Sequence, residues 1–261
     1  MKNLVIVLCI ALTVASGYGQ KKTKPSPRNG KGPIGAGRAG SGAISKNWKV
    51  APGLEARLAK YRPVRMPFNS AKLKPRERQM VEKLVEASQY LENIFWRQND
   101  PEALTLYQQL ANSTSPQDRT LRELLFLNAG RFDLLDNNQP FLGTNAAPPG
   151  HAFYPEGLTR EQIESYVKAH PDQKEAIYSS YTVIRRRGDV LEALPYRVVY
   201  RAYLGPAAKA LKEAAALSDD PDFANFLRLR SKALLTDDYT ASDFAWLDLK
   251  DPKFDIIFAP Q

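Results

Sequence analysis

Met80-Val81-Glu82-Lys83-Leu84-Val85-Glu86-Ala87-Ser88-Gln89-Tyr90-Leu91-Glu92-Asn93-Ile94-Phe95 carries apolar side chains at three- and four-residue intervals. That spacing returns Met80, Val81, Leu84, Val85, Leu91, Ile94 and Phe95 to one stripe of a 3.6-residue helix, so a long amphipathic helix is expected here. Pro75 suits its first turn, where a missing N–H costs nothing, and Glu77 favours the positive end of the helix dipole. Asp100-Pro101-Glu102 and Ser115-Pro116-Gln117-Asp118 repeat the logic, each placing a capping side chain before a proline at the first helical position. Thr159-Arg160-Glu161-Gln162 is a capping box that opens a fourth helix. Two more long helices are expected near Tyr196–Leu217 and Pro221–Leu235, the first interrupted at Gly205-Pro206.

Strand signals are few. Tyr181 to Arg185 and Val190 to Leu194 are β-prone runs on either side of Arg187-Gly188-Asp189, which predicts a short hairpin. The tripeptide also spells an integrin-type adhesion sequence, but the turn needs glycine for its own backbone geometry. Phe254-Asp255-Ile256-Ile257-Phe258 reads as a buried strand whose pairing partner the 261 residues do not supply, as if an architecture stopped midway. Between the third and fourth helices, Asn128 to Gly157 is rich in Gly, Pro and Asn, and loops of that length inside a domain commonly serve a site. The fold class expected is α+β, predominantly α-helical, with a short β-hairpin and a C-terminal strand, over residues 51–261. No internal repeat is visible.

The N-terminal residues speak to compartment. Met1-Lys2-Asn3 is a short basic start, Leu4 to Val14 is an apolar run, and Ala15-Ser16-Gly17 and Gly19 suit signal-peptidase cleavage. An eleven-residue helix rises about 16 Å, well short of a bilayer core of about 30 Å, so residues 1–19 are expected to be a signal peptide rather than a membrane anchor. No later segment is apolar enough to span a membrane. Cys9 is the single cysteine and lies in the apolar run after Leu8, which is too large to precede a lipidated cysteine. After cleavage the chain has no thiol, hence no disulfide, thiolate ligand or cysteine nucleophile. The expected location is periplasmic or secreted.

The net charge of +9 belongs to a tail. Residues 21–60 hold ten Lys or Arg against Glu55 alone, leaving residues 61–261 almost neutral. Residues 20–50, rich in Gly, Lys, Pro and Ser, bury too little apolar surface to offset chain entropy and are expected to be disordered. Such a tail attracts anionic surfaces through screened charge alone, so no specific nucleic-acid partner is expected. Gly35, Gly37 and Gly40 spell G-x-G-x-x-G, but neither a strand nor a helix flanks them, as a dinucleotide site requires.

Side chains that could do chemistry are scarce. Metal-assisted hydrolysis needs two or three imidazole or carboxylate ligands on a rigid element, and the chain's two histidines, His151 and His170, are nineteen residues apart. Asp237, Asp238, Asp243 and Asp248 lack the alternation and central glycine of a calcium loop and read as helix ends and caps. No nucleophile elbow or phosphate loop appears, and Phe95-Trp96 and Trp246 read as core aromatics. Neither a catalytic nor a metal-binding residue is assigned.

Six blocks in register resemble a known family. They are Asn93-Ile94-Phe95-Trp96-Arg97-Gln98, Leu134-Leu135-Asp136-Asn137-Asn138-Gln139-Pro140-Phe141 and Phe153-Tyr154-Pro155-Glu156-Gly157-Leu158-Thr159-Arg160-Glu161. The rest are Tyr181-Thr182-Val183-Ile184-Arg185, Leu234-Leu235-Thr236-Asp237-Asp238-Tyr239 and Ser242-Asp243-Phe244-Ala245-Trp246-Leu247-Asp248. From about Pro52 onward the chain resembles the N-terminal half of bacterial dipeptidyl peptidase III-like zinc hydrolases. The resemblance implies an exopeptidase of two lobes around a wide cleft that removes dipeptides from peptide amino termini. Its zinc sits on an H-E-x-x-x-H or related helix and a downstream glutamate, in a C-terminal half that these residues do not include. The resemblance puts Asp255 at the acid that receives the substrate's amino terminus, and Ile257 where a tyrosine assists at the scissile carbonyl. Isoleucine has no proton to give. A partial lobe, inactive alone, with no cofactor of its own and zinc on a separate C-terminal chain, is therefore expected; the alternative is a free-standing periplasmic peptide-binding or adaptor protein.

Overall fold

The structure, a computed structural model, describes residues 48–65 and 69–258. The expected signal peptide, the G-x-G-x-x-G stretch and the basic tail up to residue 47 lie outside the described residues. Within them the chain is helical around two small antiparallel strand pairs, β1 (Phe132–Asp133) with β2 (Gln139–Pro140) and β3 (Thr182–Arg187) with β4 (Val190–Pro195). The α+β reading holds.

Three long helices build the main core. α2 (Pro75–Asn99), α8 (Arg201–Leu217) and α9 (Pro221–Thr236) pack with α8 in the middle. Ala207, Ala208, Ala210, Ala214 and Ala215 of α8 are all buried, and such short side chains let both neighbours approach closely. Met80, Leu84, Ala87 and Ile94 enter from α2, and Phe223, Phe226 and Leu227 from α9. The α2 stripe is narrower than the spacing implies. Val85 and Phe95 lie outside it, and Phe95 is 45% exposed while Trp96 is buried. Phe95 is thus not a core aromatic: one residue is a 100° turn of the helix, and Ile94 and Trp96 take the two inward directions on either side of it.

A second cluster lies toward the N-terminal end of the described chain. α1 (Leu54–Leu58), α3 (Pro101–Gln109) and α4 (Pro116–Asn128) enclose Trp96, Leu106, Leu121, Leu124, Leu125 and Phe141. Asp100 and Ser115 cap α3 and α4 ahead of their prolines, as their spacing implies. Trp48 to Val50, which composition assigns to the tail, belong to this packing. Val50 bridges Leu142, and the Gly143 N–H donates to the Lys49 carbonyl at 2.8 Å. Trp48 and Val50 supply the apolar surface that the preceding residues lack. A third, smaller cluster joins α5 (Arg160–Ala169) and the short α6 (Lys174–Ile177) to the β3–β4 hairpin. The hairpin turns at Gly188, whose φ of +59° is the left-handed backbone that glycine tolerates, so Arg187-Gly188-Asp189 has a structural reason to exist.

Two expectations need correcting. The break after Tyr196 falls at Tyr200, between α7 (Tyr196–Val199) and α8, and Pro206 lies inside α8. Its ring leaves the Ala202 carbonyl without an N–H, but Ala202 is exposed and water can satisfy that group. The C-terminal segment has strand-like burial, with Phe254, Ile256 and Phe258 inward and Ile257 outward, yet it forms no strand among the described residues. Asp255 makes only an isolated bridge. The segment is held instead by side chains in the α2–α8–α9 core, where Phe254 stacks on Phe223 at 6.3 Å.

Candidate functional site

The end of α9 and the segment that returns across it place the one acid singled out by the sequence. α9 stops at Asp237, whose left-handed φ of 60° ends the helix and whose carboxylate accepts from the Arg197 N–H at 3.1 Å and from its guanidinium at 2.9 Å. Asp238 accepts from the Thr240 N–H at 3.1 Å and so starts α10 (Thr240–Leu247). Asp243 pairs with the buried Arg230 at 2.5 Å, and Asp248 ends α10. The acidic run is thereby spent on helix ends, as its spacing suggests, and on two ion pairs.

From α10 the chain turns back through Asp251 and runs extended over Phe254 to Phe258. This return brings Asp255 to Trp246, whose indole N–H donates to Asp255 Oδ1 at 2.8 Å. Both residues are half-buried. The second carboxylate oxygen, Oδ2, has no hydrogen bond, and no cation pairs with Asp255 among the described residues. A carboxylate bonded through one oxygen to a neutral donor leaves the other as an open acceptor for a positively charged visitor. Ile257, two residues on and so on the same side of an extended chain, is 78% exposed.

Next to Asp255 the segment is pinned to α2. Lys253 pairs with Glu77 at 2.5 Å, and Glu77 also accepts from the Lys74 N–H at 2.8 Å, closing the first turn of α2. Burial pushes the Glu77 carboxyl up, but the Lys253 and Lys74 hydrogen bonds outweigh it and hold the group below the usual carboxylate range. A depressed folded pKa gives stability that is present above the unfolded value of about 4.3 and lost as pH falls through the folded pKa. Glu77→Gln should therefore destabilise the chain by about 2 kcal/mol at neutral pH and flatten the fall in its urea midpoint between pH 5 and 3.

The histidines lie elsewhere. His170 caps the end of α5, stacks on Tyr166 with ring centroids 4.1 Å apart, and has its Nδ1 3.0 Å from the Tyr166 carbonyl. His151 stands in the loop before α5, with a left-handed φ of 47°.

No family model matches the chain. Among curated proteins it is similar to Nudix hydrolase 3 of Arabidopsis thaliana, 25% identical over an alignment of 259 positions, gaps included, that covers 79% of this chain and 33% of that protein. Among solved structures it is similar to dipeptidyl peptidase III from Caldithrix abyssi, at 37% identity and a TM-score of 0.73, covering 76% of this chain and 38% of that one. Dipeptidyl-peptidase III from Corallococcus sp. strain EGB gives 32% identity and a TM-score of 0.72, covering 77% and 38%. The fold is that of part of dipeptidyl peptidase III. The chain spans a third of the curated relative and somewhat over a third of each dipeptidyl peptidase III that it matches.

Dipeptidyl peptidase III enzymes depend on zinc, and the donor set among the described residues of this dipeptidyl peptidase III-like lobe does not fit that metal. Among the described residues no three His, Cys, Asp or Glu side chains gather as a metal would need. The ring of His170 is engaged by Tyr166, and Asp237 and Asp243 are engaged by arginines. Sequence reasoning missed Trp246 as the partner of Asp255. The two lie nine residues apart across a turn, and no periodicity links them.

Proposed function

We propose that this chain is the peptide-binding portion of a dipeptidyl peptidase III-like hydrolase, in which Asp255 receives the amino terminus of a peptide. The reading rests on one observation: Asp255 is held at 2.8 Å by the Trp246 indole and keeps an unpaired carboxylate oxygen, in a fold shared with dipeptidyl peptidase III. An ammonium against that oxygen forms a charge-assisted hydrogen bond and fixes the first residue of the peptide. Bond cleavage needs a Lewis acid and a proton donor near the scissile carbonyl. The described residues offer no cage for the first, and Ile257 cannot supply the second.

In this proposal the zinc and its ligands come from polypeptide outside these 261 residues, and the lobe does not hydrolyse peptides by itself. Residues 1–19 direct export, which places the protein in the periplasm or outside the cell. Hydrolysis of a dipeptidyl-naphthylamide in added zinc tests the proposal. The purified chain should release no naphthylamine above the rate of zinc in buffer, whereas turnover that survives gel filtration would overturn it.

A further inference from the structure

A second site lies away from Asp255, in the long loop that follows α4. Trp48, Lys49, Phe132, His151, Tyr154 and Glu156 line a cleft of about 540 Å³, within the usual range for small-molecule pockets. Three features distinguish it from packing left incomplete. The His151 ring lines the cleft, and its Nδ1, closed off from solvent, has no hydrogen-bond partner among the described residues, a cost of about 1–3 kcal/mol. His151 also has left-handed backbone, a conformation whose strain is found at binding sites. Gly150 precedes it with φ +71°, and a Cβ there would stand 2.5 Å from the Tyr154 ring, so the loop is seated tightly on one cleft wall.

Charge sets the ligand class. Arg131, also in the lining, is spent on Asp100 at 2.7 Å and on Glu102 at 2.5 Å. Lys49 and Glu156, exposed and from separate segments, belong to no ion pair among the described residues. Among the described residues of the lining, one unpaired cation and one unpaired carboxylate, with an imidazole and aromatic walls beside them, match a small molecule bearing its own carboxylate and ammonium. We propose that this cleft binds a zwitterion of the size of an amino acid or dipeptide, with its carboxylate toward Lys49, its ammonium toward Glu156 and its body against the His151 ring. The inference stands on the cleft alone and is independent of the role given to Asp255.

The test uses the chain carrying Asp255→Asn, so that the other site is silent, and follows the imidazole NMR signals. The chain has two histidines, so His170 serves as the internal control. Titration with alanyl-alanine should move the His151 signals saturably and leave His170 still. N-acetyl-alanyl-alanine amide, which lacks both charges, should bind at least about tenfold more weakly, and Glu156→Gln, an exposed change, should weaken alanyl-alanine about fivefold. Free alanine, run alongside, decides whether the amino acid or the dipeptide binds more tightly. Absence of saturable His151 movement, equal binding of the blocked compound, or binding seen only when Asp255 is intact would each overturn the inference. The last outcome would leave the role of Asp255 standing.

Discussion

Asp255→Asn should lower the affinity for a C-terminally amidated dipeptide by about tenfold to a hundredfold in isothermal titration calorimetry, with little change in thermal stability. The asparagine oxygen can still accept from Trp246 Nε1, so the segment stays where it is. The change removes the charge opposite the ammonium, and a hydrogen bond to a charged group contributes about 1.5–3 kcal/mol. Trp246→Phe separates placement from charge. It keeps the ring and the carboxylate but frees Asp255 to rotate, so it should weaken binding by a smaller factor. Equal affinities for the native chain and Asp255→Asn would remove Asp255 from the site.

The largest loss of stability is expected from Asp133→Ala. Asp133 is fully buried in β1, accepts from Arg57 at 2.7 Å and from the Leu135 N–H at 3.0 Å, and so ties α1 to the loop after α4. Removing it strands the Leu135 N–H and leaves Arg57 with Asp136 alone. Breaking one side of a buried pair costs about 3–5 kcal/mol, here about 3 because Arg57 reaches solvent and keeps a second acid. Asp136→Ala, at the more exposed acid, should cost about 1 kcal/mol or less. Urea unfolding of the two variants checks the order. Because the same loop carries Phe132 and Leu142 to the cleft beside Trp48, Asp133→Ala should also impair that cleft.

Much of this architecture was legible because its signals are local. Asp100, Ser115 and Thr159 cap the helices that their spacing announces, and the hairpin closes on Gly188 where the β-prone runs leave room for it. The errors arose where a local pattern met tertiary packing. Phe95 satisfies a three-and-four spacing, yet it turns outward while Ile94 and Trp96 on either side of it are buried. Pro206 reads as a breaker, but its stranded carbonyl reaches water, and the chain bends at Tyr200 instead. Phe254 to Phe258 alternates like a strand because one side lies on the helical core, and alternation reports burial, not a hydrogen-bonded neighbour. Asp255 was singled out through resemblance alone, whereas its geometry depends on Trp246, and the cleft at His151 depends on residues more than one hundred positions apart. Contacts of that kind have no period to read.

The position of a bound peptide's amino nitrogen tests the account most directly. In a crystal structure of the chain with a C-terminally amidated dipeptide, that nitrogen should stand about 3 Å from Asp255 Oδ2 while Trp246 still holds Oδ1. A peptide ordered on the lobe with its ammonium elsewhere, and Asp255 bonded to Trp246 alone, would contradict the account.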